Sequence, residues 1–388
     1  MISKKSNFLF LTILSTIALS TDAIFTIDIY QKYPERLLEQ LQNNKQVIKT
    51  SEIPQNESIV LYKFMDSEYY GLIKIGKPAK EFKVIFDTTW GDIWVPSSRC
   101  NLIEIVCMTH TRYDSTKSST YQPDGTIVNI TTDSYSLLGF LSRDNFYTPH
   151  KNVTNQTFIE MTHISFKSFA LQRADGIVGL GFQGLSQTNS LPFFYNLVKQ
   201  KVVKEPVFTI YMNRDETTEK AGRLILGGTE RKHLKGDLTF VPVTKKLYWQ
   251  IEVDSIMLES AKKTFMITGN TNAIMDTSTN TIKGPAREIM RINNLINAKN
   301  IAPQIGRYVV DCREYAKLPR IHFILKNKNF TIDSKYYVQR MSFKSMEACL
   351  SPFVVSEQDF WQLGGAFLMQ FYTEYYFDGR IAIGETLF

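Results

Sequence analysis

Two aspartates end closely similar strings. Val84-Ile85-Phe86-Asp87-Thr88-Thr89 recurs as Ala273-Ile274-Met275-Asp276-Thr277-Ser278. Each is an apolar run closed by Asp-Thr and a small polar residue. Two carboxylates held close together cannot both ionise cheaply, so they share a proton, and one serves as base while the other serves as acid. A water between them can lose its proton to the base and attack a carbonyl carbon while the acid protonates the oxygen. Such chemistry needs neither a metal nor a covalent intermediate. One isolated Asp-Thr is an ordinary strand end; the duplicated pair makes the candidate site.

The elements that must position these aspartates repeat as well. Ile177-Val178-Gly179 follows Asp87 at 92 residues, and Leu363-Gly364 follows Asp276 at 88. A shared order of aspartate strand and apolar-glycine element reads as a duplicated lobe. Two related lobes facing each other bring Asp87 and Asp276 together across a pseudo-two-fold axis. Short runs of Tyr, Phe, Ile, Val and Thr, broken by Gly, Asn, Asp and Pro, predict many short strands. The 388 residues suffice for two domains, and 43% hydrophobic with 13% aromatic content excludes a disordered chain.

The first residues read as a secretory signal. Lys4 and Lys5 precede an apolar run from Phe8 to Leu19, and Thr21-Asp22-Ala23 offers small residues for a cut after Ala23. That run is too short for a membrane span, and no later stretch supplies a transmembrane anchor. The even set Cys100, Cys107, Cys312 and Cys349 predicts two disulfides and leaves three pairings open. None of these cysteines lies in a metal-like C-x-x-C pair, so neither a structural metal nor a cofactor is expected. Sequons at Asn56, Asn129, Asn152, Asn155 and Asn329 are candidate glycosylation sites. The net charge of +7 falls wholly on residues 58–388 and is dispersed; it reads as a solvated surface, with no nucleic-acid module. Residues 24–57 differ from the rest: a helix-like stretch from Tyr33 to Leu41 leads into a polar linker, and a propeptide is the natural reading.

Several further strings resemble the pepsin and cathepsin D family. They include Tyr69 to Gly76, Ile93-Trp94-Val95-Pro96-Ser97, Ala174 to Gly181, Leu226-Gly227-Gly228, Tyr248-Trp249-Gln250-Ile251 and Trp361 to Gly365. The resemblance covers about Ser58 to Phe388. It implies an all-β, bilobal acid-protease fold with a deep interlobe cleft and a β-hairpin flap around 128–140. It divides the chain into an N-terminal lobe, 58–214, and a C-terminal lobe, 215–388. It implies Asp87 and Asp276 as the catalytic pair, Thr88 and Thr277 as a buried threonine grip, and the pairings Cys100–Cys107 and Cys312–Cys349. It also implies a zymogen of the secretory route, extracellular or lysosomal, acting as a monomer on a peptide or protein substrate.

The chain departs from the family at the site. Thr89 and Ser278 stand where both loops carry glycine, and each adds a Cβ and a hydroxyl beside a carboxylate. Trp90 replaces a serine that bonds a catalytic carboxylate. In the flap, Thr132 stands at the tyrosine position, while Asp133 and Tyr135 replace glycines; Tyr135 offers a ring at a shifted place. Gly365 replaces an aspartate. In lacking both loop glycines the chain is similar to insect pepsin-like allergens, which implies weak or altered activity. Two readings stay open: an aspartic endopeptidase of lowered activity, and an inactive pepsin-like protein that binds a peptide or apolar ligand in its cleft.

Overall fold

The computed structural model describes residues 57–64, 68–101, 103–132, 135–165, 169, 172–213, 220–261, 263–302, 306–343 and 346–387. The predicted signal, nearly all of the propeptide-like segment, the 214/215 lobe boundary, Asp133 and Asn56 lie outside the described residues.

Strand Lys80–Asp87 holds the first aspartate. Val84, Ile85 and Phe86 are all buried, as expected of a central strand covered on both faces. It pairs antiparallel with Glu68–Ile75 and parallel with Gly176–Gly179, setting Asp87 opposite Gly179. Strand Ile93–Pro96 lies antiparallel on the far side of Gly176–Gly179 and parallel to Asn152–Ile164.

The same order recurs around the second aspartate. Thr271–Met275 pairs antiparallel with Trp249–Val253 and parallel with Trp361–Leu363. Ile282–Gly284 then runs antiparallel to Trp361–Leu363 and parallel to Phe353–Val355. The sequence repeat is therefore a repeat of strand pairing. Among the described residues the first set belongs to a thirteen-stranded sheet and the second to a six-stranded sheet, with two four-stranded sheets beside them. The fold is all-β and bilobal.

The two glycines of the repeat are required by close approach. A Cβ on Gly179 would lie 2.5 Å from the Trp90 carbonyl oxygen, and one on Gly364 would lie 2.3 Å from that of Thr281. Each glycine thus lets its strand pass directly under the loop that carries an aspartate. The halves also share a core. The buried Trp249 indole donates to the Leu180 carbonyl at 3.0 Å and packs on Phe182 with ring centroids 4.4 Å apart. Disulfides join Cys100 to Cys107 and Cys312 to Cys349. Asn129, Asn152, Asn155 and Asn329 are exposed.

Candidate active site

Asp87 is the last residue of its strand and Asp276 directly follows Met275, the last of its own, so both lie where a strand gives way to a turn. Behind the pair, two threonines lock the loops reciprocally. The Thr88 amide donates to Thr277 Oγ1 and the Thr277 amide to Thr88 Oγ1, both at 3.1 Å. The Thr88 hydroxyl donates to the Met275 carbonyl at 2.7 Å, and the Thr277 hydroxyl to that of Phe86 at 2.5 Å. Thr88 is fully buried and Thr277 nearly so. A buried, fully satisfied network of this kind fixes its members far better than isolated contacts do.

Asp87 and Asp276 are only 5% and 2% exposed. Burial first, and the charge of Asp276 second, push the Asp87 carboxyl up to about 7. Hydrogen bonds from Thr89 and Ser278 oppose that rise. Burial without a cation disfavours ionisation, and a second carboxylate disfavours it further. The pair therefore retains one proton well above the ordinary carboxylate range and titrates as a unit.

The residues at the family's glycine positions act on the carboxylates directly. Thr89 donates both its amide and its hydroxyl to Asp87 Oδ1, each at 2.7 Å. Ser278 repeats this on Asp276 Oδ1, with its amide at 2.9 Å and its hydroxyl at 2.7 Å. Each carboxylate thus gains a hydroxyl donor that a glycine could not supply. The next position breaks the symmetry. Thr279 directs its hydroxyl at Asp276 Oδ2 from 3.4 Å, whereas the equivalent Trp90 has no oxygen to offer. Asp276 thus has a hydroxyl near each of its oxygens, whereas the donors to Asp87 come from Thr89 and Ser278.

The flap is a hairpin of Gln122–Thr131 and Ser136–Tyr147, with Asn129 opposite Leu138 and Thr131 opposite Ser136. Thr132 closes the turn: its amide donates to the Tyr135 carbonyl at 2.9 Å, and its hydroxyl oxygen accepts from the Tyr135 amide at 3.1 Å. Tyr135 carries the ring. It packs 6.5 Å from Trp90 and 6.0 Å from Phe169. Burial raises its phenol above the ordinary range, and the charges of Asp87 and Tyr248 add to this.

Sequence reasoning passed over Thr279, Phe169 and Tyr248 as site residues. Thr279 had a usable signal, because it lies three places beyond Asp276 as Trp90 lies beyond Asp87. Gly365 has a steric cause: Asn280 occupies the space, and a Cβ there would lie 1.9 Å from its Oδ1.

Two facing strand ends, a carboxylate on each, a reciprocal threonine lock and a covering hairpin together describe an acid/base site of aspartic-protease type. Residues 68–384 match the eukaryotic aspartyl protease family, and the chain belongs to it. It is 37% identical to cathepsin D of Gallus gallus over 319 residues, spanning 81% of this chain and 79% of the relative. Cathepsin D of Rattus norvegicus is 36% identical over 327 residues, spanning 81% and 79% respectively. Cathepsin D of Chionodraco hamatus is 34% identical over 384 residues, spanning 94% and 96%.

Proposed function

We propose that the chain is an aspartic endopeptidase in which Asp87 and Asp276 activate a water for peptide hydrolysis. The observation that carries this reading is the reciprocal Thr88/Thr277 lock, which holds two buried carboxylates so that Asp87 is pushed up to about 7. Below that pH the pair holds one proton. The ionised member takes a proton from water as the oxygen attacks the scissile carbonyl carbon, and the protonated member gives its proton to the carbonyl oxygen. Collapse of the tetrahedral species breaks the C–N bond: the departing nitrogen takes the proton that the first carboxylate removed from water, and a hydroxyl of the tetrahedral carbon returns its proton to the second carboxylate, which restores the pair.

Turnover is slow in this reading. The hydroxyls of Thr89 and Ser278 donate to the carboxylates and weaken the base that must deprotonate water. The physiological form is a monomer delivered through the secretory route, extracellular or lysosomal. A signal of residues 1–23 and a propeptide of residues 24–57 are removed, and glycans stand on exposed sequons. Apolar residues flank the bond that is cut.

Those same hydroxyls favour a second reading, an inactive protein that retains a peptide or apolar ligand in its cleft. Incubation of the purified protein with a mixed peptide library, with and without a statine-type inhibitor, separates the two. Inhibitor-sensitive cleavage supports the enzyme. Peptide retention without cleavage supports the binder.

A further inference from the structure

The flap hairpin meets the Asp87 loop at Tyr135, through aromatic rings that neither the dyad nor the threonine lock uses. Tyr135 directly precedes the second flap strand, Ser136–Tyr147, and its carbonyl accepts from the Thr132 amide. Its ring lies 6.5 Å from that of Trp90 at 60° and 6.0 Å from that of Phe169 at 76°. Phe169 in turn stands edge-on to Trp94 at 5.3 Å. These tilted arrangements are the attractive ones for ring quadrupoles. They tie the flap to Trp90, three residues beyond Asp87, and to the strand behind it. The Tyr135 phenol is raised by burial first, and by the charges of Asp87 and Tyr248 after it.

The same rings carry an unused donor. The indole N–H of Trp90 is buried and finds no acceptor among the described residues. The indoles of Trp94 and Trp361 are unpaired in the same way, but of the three only Trp90 belongs to a half-buried residue at the Asp87 loop, where a ligand atom can complete it. An extended peptide brings a backbone carbonyl at every residue and apolar side chains at some.

We propose that Trp90 and Tyr135 form one positioning unit: the ring contact seats the flap over Asp87, and Trp90 Nε1–H donates to a backbone carbonyl of the bound peptide. This rests on the peptidase reading for its kinetic consequences but not for the ring contact itself. Tyr135 then supplies the flap's aromatic cover from its shifted position, with Trp90 as its support. The residue that removes a carboxylate partner at position 90 provides a seat for the flap instead.

The test uses the full chain and has a readout independent of turnover. Of the four tryptophans, Trp94, Trp249 and Trp361 are at most 2% exposed, while Trp90 is half-buried. Emission that acrylamide can quench therefore belongs to Trp90, and Trp90→Phe identifies it by removing it. Tyr135→Ala is expected to raise that quenching, and Tyr135→Phe, which keeps the ring, to leave it unchanged. In cleavage assays Tyr135→Ala is expected to lower kcat/KM by roughly 2- to 10-fold, the range for loss of one aromatic contact. The same substitution made in Trp90→Ala protein is expected to have little further effect. Trp90→Phe, which keeps a ring but loses the N–H, is expected to raise KM by roughly 2- to 10-fold, the range for one neutral hydrogen bond, with kcat nearly constant. Unchanged quenching in Tyr135→Ala, or losses that multiply in the double variant, would overturn the positioning unit. An unaltered KM in Trp90→Phe would overturn the carbonyl contact. If the unaltered protein cleaves nothing, the peptidase reading fails by itself. Quenching still decides the ring contact, and affinity for a statine-type peptide replaces KM.

Discussion

Replacing Asp87 with asparagine should stabilise the protein at neutral pH and leave it nearly unchanged at acid pH. In the unfolded chain this carboxyl titrates at its ordinary value of 3.8, and in the folded protein at about 7. Between those values the folded form holds a proton that the unfolded form has lost. The protonated carboxyl's contribution to stability is thus complete below about 4 and is lost as pH rises through about 7. A difference of about three pH units corresponds to about 4 kcal/mol at 1.36 kcal/mol per unit. This figure is a ceiling, because Asp276 shares the proton. Asp87 is 5% exposed, so solvent screens little of it. Asparagine keeps an oxygen to accept from the Thr89 amide and hydroxyl, but it has no charge to bury. Denaturant titration of both proteins at about pH 4 and about pH 8 measures the effect, since changes at other carboxyls cancel in the comparison. The stability gap should open by about 2–4 kcal/mol toward pH 8 in favour of Asp87→Asn. A gap that is constant, or that favours the unaltered protein more strongly at pH 8, would refute the reasoning.

Other consequences follow from the same contacts. Thr88→Val keeps the shape but strands the Met275 carbonyl and the Thr277 amide in a buried site; at about 1–3 kcal/mol for each stranded group, stability should fall by about 2–6 kcal/mol in denaturant titration. Thr89→Ala removes one hydroxyl donor that favours the ionised form of Asp87. The dyad should hold its proton more tightly, and the alkaline limb of the pH–rate profile should move up by about one unit, the equivalent of one charge-assisted hydrogen bond. Replacing Cys312 and Cys349 opens a loop five times longer than replacing Cys100 and Cys107, with sequence separations of 37 and 7. Chain-entropy arguments give losses of about 4 and about 2 kcal/mol, so thermal unfolding should fall further in the first variant.

Asp87 and Asp276 stood out in the sequence because a strand buried on both faces must read as an unbroken apolar run, and both runs end in the same Asp-Thr. Gly179 and Gly364 were legible for a related reason, since only glycine lets a strand pass so near a loop carbonyl. The thirteen-stranded sheet was not legible as such. It depends on pairings between strands far apart in the chain, of Lys220–Leu226 with Glu57–Phe64 and of Phe371–Tyr376 with Val207–Met212. Nor could the sequence assign directions to hydroxyls. Thr89 and Ser278 were recognisable as departures from glycine, but whether they would crowd the carboxylates or bond them depended on rotamers. The structure turns both hydroxyls onto Oδ1. Tyr135 was noticed as a displaced ring, while its seat on Trp90 depends on how the hairpin lies over the Asp87 loop.

The most direct test of the account is peptide cleavage by the purified protein across about pH 3–7, where a shared-proton dyad should work. Asp87→Asn serves as the blank and a statine-type inhibitor as the control. The account predicts slow, inhibitor-sensitive cleavage beside apolar residues that disappears in Asp87→Asn. Cleavage no greater than that of Asp87→Asn at every pH would contradict it.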